Sequence, residues 1–184
     1  SLLTVIPPSQ KIKDYKLNST WWAEANGDKI KDVKNYIETT GRRLGVTGDD
    51  VLWTAPKHRV VKDSKQNKIL LKPRKYIVDS SGDTCYLASN ARATNIYRNK
   101  SVLFHLYNRY PLVPVKAYLQ DYGCKLDQNV FALSQLLQWA WRGCIRDSKP
   151  MTLCIGSERM YWLFMNWLYG YGVSPVELKG KSYK

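Results

Sequence analysis

Acidic residues are scarce in this chain: fifteen Asp and Glu face twenty-nine Lys and Arg, leaving a net charge of +14 over 184 residues. That imbalance argues against a cationic ligand and for a polyanion. Histidine is scarcer still, with only His58 and His105. The four cysteines, Cys85, Cys124, Cys144 and Cys154, are widely spaced and form no Cys-x-x-Cys pair, so zinc-ligand spacing is missing and no metal is expected. Each lies in or beside an apolar segment, which suits reduced thiols in a reducing, cytoplasmic compartment. No apolar run approaches the roughly 18–20 residues that cross a bilayer, and no basic-then-apolar leader opens the chain. A nucleophile-elbow Gly-x-Ser-x-Gly is also missing. The only Gly–Lys–Ser, at Gly180–Ser182, has Pro175 where a phosphate-cradling loop needs its first glycine.

What is present describes a folded domain. Apolar residues make up 44% of the chain and include seven Trp, enough for a sizeable core in one domain of this length. Strand patterns at Leu2–Ile6, Val51–Thr54, Thr84–Ala88 and Met151–Ile155 alternate with helical patterns at Asp28–Leu44, Gln128–Arg146 and Glu158–Tyr169, the last capped by Ser157. Short strands are read near Ile69–Leu71 and Tyr76–Val78, and two helices at Ser101–Tyr110 and Val115–Tyr122. Lys11–Asn26, with Trp21–Trp22, stays unassigned. The alternation predicts an α/β fold: three layers, with a mainly parallel central sheet flanked by helices. Residues 1–48 read as a lead-in, 49–172 as the domain and 173–184 as a frayed basic tail.

Three segments carry the chemistry. Between Lys57 and Lys75 stand Lys57, Arg59, Lys62, Lys65, Lys68, Lys72, Arg74 and Lys75, opposed only by Asp63, a density suited to phosphates and to salt-dependent binding. In the helix to Arg146, Val130, Leu133, Leu137, Ala140, Trp141 and Cys144 form an apolar stripe, while Gln135, Gln138, Arg142 and Arg146 gather opposite. Fork-shaped guanidiniums beside amides suit a phosphate-rich ligand. The loop after Thr84–Ala88 supplies Asn90, Arg92, Thr94, Asn95 and Arg98, placed where ligands bind beyond the carboxyl ends of parallel strands.

The order Val51–Thr54, Asn90–Asn95, Gln138-x-x-x-Arg142 and Ser157–Met160 resembles the second, RecA-like motor domain of superfamily 2 DEAD/DEAH-like helicases of phages and mobile elements, over about 51–168. The resemblance implies an ATP-driven motor whose site lies between two RecA-like domains. Gln138 and Arg142 would face the nucleotide, with Arg142 as an arginine finger and Arg146 as the second arginine, displaced by one position from the family spacing. Asn90, Arg92 and Thr94 would couple nucleotide state to the strand. Lacking its own P-loop, such a chain would hold no ATP or Mg²⁺ alone and would need a missing N-terminal motor domain or partner subunit, with nucleic acid (DNA ahead of RNA) as substrate and no membrane. A chain opening on Ser1 instead of Met is read as cut from something longer. The alternative is a stand-alone basic nucleic-acid-binding protein of a phage or plasmid, with replication or regulatory duties and no ATPase activity. A nuclease would need clustered carboxylates, and Asp79, Asp83, Asp121 and Asp127 are scattered.

Overall fold

Four short strands pair side by side, all parallel, in the order β1-β4-β3-β2: β1 (Leu3–Ile6), β2 (Val51–Thr54), β3 (Val102–His105) and β4 (Met151–Ile155). The computed structural model describes residues 2–60, 70–91 and 95–183. All four residues of both β2 and β3 are buried, the mark of parallel strands covered on both faces. Alternate side chains part to opposite faces. Val51, Trp53, Val102, Phe104 and Cys154 enter one core, whereas Leu52, Leu103, Leu153 and Ile155 enter the other.

Helix α2 (Gly27–Leu44) covers the first face through Ile30, Val33, Tyr36 and Ile37. Its start is set by the Asn26 side chain, which accepts from the Lys29 N–H, and its end by Gly45 in the left-handed region at φ 69°. Ahead of it, Lys11–Asn26 forms a turn and α1 (Ser19–Glu24), and the Trp22 indole donates to the Leu106 carbonyl beyond β3. The second face is covered by α4 (Gln128–Ala140) and α5 (Glu158–Leu168), while α3 (Val113–Asp121) buries no residue. The architecture is therefore the expected helix–sheet–helix sandwich. The segment from β1 to α2, within the expected lead-in of residues 1–48, is integral to it, since β1 pairs with β4 and α2 forms a layer.

Several elements differ from the sequence-based expectation. Ser101–Tyr110 is not a helix: Val102–His105 is the strand between β2 and β4, and a short buried apolar run carries no periodicity to separate the two forms. The helix expected to reach Arg146 stops at Ala140, and Cys144–Asp147 forms a 3-10 turn. Gly143 packs so closely against the start of β3 that a Cβ there would meet the Lys100 carbonyl oxygen at 2.9 Å, so glycine suits the point where the chain has left the helix. The buried stripe of α4 is Ala132, Leu133, Leu136, Trp139 and Ala140, rotated from the predicted one; Val130 and Trp141 are exposed. The buried Trp139 indole sets that rotation by donating to the Leu87 carbonyl. Thr84–Ala88 is not a regular strand, yet it flanks the outer edge of β2: the Trp53 N–H donates to the Cys85 carbonyl and the Leu87 N–H to the Trp53 carbonyl. The strand expected near Tyr76–Val78 is not formed: Tyr76 ends the 3-10 turn Arg74–Tyr76, and Val78 makes an isolated bridge to Thr84. The tail folds back, with Asn166 donating to the Ser174 and Val176 carbonyls and accepting from the Tyr183 hydroxyl.

Candidate functional site

A parallel sheet has two unlike edges, and the predicted residues divide between them. Helix α4 starts at the carboxyl edge, where Arg159, in the first turn of α5, donates to the Gln128 carbonyl and to Asn129 Oδ1. It ends at the amino edge, where the Cys144 N–H donates to the carbonyl of Lys100, just ahead of β3. Arg142 and Arg146 follow that end, outside the helix that was to present them. Gln138 is exposed beside Leu137, Trp141 and Trp167 in a small apolar depression.

A parallel strand is entered from the amino edge, so the residues just ahead of β3 lie at the other edge from those that follow β2. Ser89 and Asn90 consequently lie at the carboxyl edge and Asn95–Lys100 at the other. The half-buried Arg142 donates from Nη2 to the Ala91 carbonyl at 3.3 Å, and Arg146 Nη1 donates to Asn95 Oδ1 at 2.8 Å. Arg98 forks onto Asp147 at 2.9 and 2.6 Å, an exposed pair that holds the Asp147 carboxyl below its ordinary value. The predicted loop and the predicted helix end are thus brought together. Arg92, Thr94, Lys62, Lys65 and Lys68 lie outside the described residues.

Arg59 is a correction. It is buried, and its guanidinium donates to the carbonyls of Trp22, Ala23 and Ala25, closing the end of α1 instead of facing a strand. Burial draws its pKa down. Lys57, two residues earlier, is exposed.

The carboxyl edge holds a cleft that sequence reasoning largely missed. A cavity of about 530 Å³ opens beyond β2 and β3, lined by Lys57, His58, Ser89, Asn90, Tyr107 and Arg109 among others. Arg109 stacks its guanidinium 5.1 Å from the Tyr107 ring centre and donates from Nη1 to Ser89 Oγ at 3.1 Å. Behind it, Thr54 and His105 pair in register as the last residues of their strands, and both are fully buried. Burial first, and the nearby Arg109 charge second, push the His105 imidazole down to about 3. Among the described residues, Thr54 Oγ1, both His105 nitrogens and Arg109 Nε are the buried side-chain atoms with no hydrogen-bond partner. A larger cleft of about 800 Å³ runs between α3 and the start of α4. There the Asp127 carboxylate already accepts from the Asn129 and Val130 N–H groups. Among the described residues no three His, Cys, Asp or Glu side chains gather to hold a metal ion, and no helix is long and apolar enough to cross a membrane.

An all-parallel sheet, covered by helices and cleft at its carboxyl edge, defines a Rossmann-like α/β domain. The chain belongs to the family of the YonV C-terminal Rossmann-like domain, whose profile matches residues 4–168. It is 36% identical over 83 residues to the SPbeta prophage-derived protein YonV of Bacillus subtilis strain 168, a match covering 45% of this chain and 20% of that protein. No solved structure matches the chain.

Proposed function

We propose that this domain handles nucleic acid as the second motor domain of a helicase-like protein, acting opposite a nucleotide-binding domain elsewhere in a longer polypeptide. One observation carries the reading. Arg142 and Arg146 reach back to Ala91 and Asn95, so the segments that resemble the strand-coupling loop and the arginine-finger helix of such motors form one surface. A motor needs that adjacency, because the guanidinium that senses the γ-phosphate must move with the loop that holds the strand. The net charge of +14 supplies the attraction to a polyanion. ATP and Mg²⁺ would be bound by the partner domain, with Arg142 contributing across the cleft.

A second reading, a nucleic-acid binder with no nucleotide dependence, is favoured by the bond Arg142 already makes to the Ala91 backbone. ATP turnover by the full-length protein carrying this domain separates the two. Under the motor reading Arg142→Ala lowers strand-stimulated turnover by about a thousandfold while strand affinity changes little. Weakened affinity with unchanged turnover, or no turnover in the parent protein, would leave the plain binder.

A further inference from the structure

We propose that the cleft at the carboxyl ends of β2 and β3 binds a phosphoryl group, with Arg109 as its anchor. The lining decides the sign of the ligand: Lys57 and Arg109 are positively charged, and among the described residues no carboxylate lines the cleft. The remaining polar lining includes Ser89, whose Oγ accepts from Arg109 and keeps its own proton to donate, and the Asn90 amide. Arg109 is already oriented, stacked on Tyr107 and bonded to Ser89 Oγ, so a ligand need not order it.

Two further observations point to a ligand. Arg109 Nε is buried and unpartnered, leaving a guanidinium donor unmatched beside its Nη1 bond. Thr54 and His105, fully buried at the ends of β2 and β3, hold the other unmatched polar atoms at this edge without lining the cavity. Buried polar atoms without partners are rare, and all four of those found among the described residues gather at this one edge. The volume, about 530 Å³, exceeds that of a lone phosphate and suits a nucleotide, with Tyr86 and Tyr107 as aromatic walls for a base. The larger cleft at α4 suits an anion less, because the Asp127 carboxylate occupies that helix end. The Arg109 cleft lies at the opposite edge of the sheet from Arg146, so the motor reading and this site can fail separately.

The phosphoryl group can come from a free nucleotide or from a strand, and titration of the folded domain in ¹H–¹⁵N spectra distinguishes them. Inorganic phosphate and adenosine 5′-monophosphate should shift the Arg109 Nε–H and the Ser89 and Asn90 amides saturably. The paired substitutions Lys57→Ala and His58→Ala, on exposed side chains, should weaken binding about tenfold or more, as should Arg109→Lys. A single-stranded oligonucleotide without terminal phosphates that shifts the same signals and competes with the nucleotide identifies strand phosphates. Shifts from the mononucleotide alone identify a free nucleotide. Signals that move no further than in sodium chloride of equal ionic strength, or undiminished binding in the Lys57/His58 variant, would overturn the proposal.

Discussion

His105 ends β3 fully buried, edge-on to Trp139 at 5.4 Å, with neither ring nitrogen hydrogen-bonded. The cost of charging it there has a direct consequence for stability. Unfolded, the imidazole takes up a proton near ~6.5; folded, it resists protonation down to about 3. Between those values the unfolded chain binds more protons, so stability falls as pH falls, at up to about 1.4 kcal/mol per pH unit from this group. Urea midpoints from pH 7 to pH 4 should therefore decline, and His105→Phe should flatten the decline. An equally steep profile in that variant would assign the acid sensitivity to other groups. Nothing in the sequence marks His105 for this position, because it lies in a segment whose pattern reads as a helix.

Arg59 shows how one side chain supports a whole element. Helix α1 has only six residues, too few to be stable alone, and its carbonyl end is closed by the Arg59 guanidinium from another segment. Arg59→Met keeps much of the stem but leaves those buried carbonyls unmatched, and should cost about 2–4 kcal/mol of folding stability in a denaturant titration. A loss under about half a kcal/mol would mean that solvent reaches the end of α1. Elements with local signals are legible in the sequence. Asn26 and Gly45 bracket α2, and Ser157 accepts from the Met160 N–H at the start of α5. The end of α4 is not, because the segment after it packs at Gly143 and bonds through the Cys144 N–H to Lys100, a residue distant in sequence.

At the scale of the molecule, the two edges of the sheet divide the positive charge. Arg98, Arg142 and Arg146 lie toward the amino edge, while Lys57 and Arg109 lie at the carboxyl edge. If the amino-edge surface meets a strand, replacing Arg98 and Arg146 together with Gln should reduce the slope of log affinity against log salt by about one for each phosphate that is no longer neutralised. Fluorescence anisotropy of a labelled single strand across a salt series measures it. An unchanged slope would show that this surface does not meet phosphates. The contacts of Arg142 with Ala91 and of Arg146 with Asn95 join two segments that the sequence singles out, whereas the Arg109 cleft gives no sequence pattern. Lys57, His58, Ser89, Tyr107 and Arg109 come from three separate segments with no common spacing.

Local signals in the chain specify the α/β class, the β1, β2 and β4 strands, the stop of α2, the Ser157 cap of α5 and the cationic character. Each rests on local hydrophobic pattern, capping chemistry or composition, which act within a few residues. Packing between distant segments makes Val102–His105 a strand, turns Arg59 inward and brings Arg109 to Ser89 and Tyr107. Those outcomes depend on which distant segments pack together, and a buried apolar run or a lone arginine takes its role from its neighbours in space.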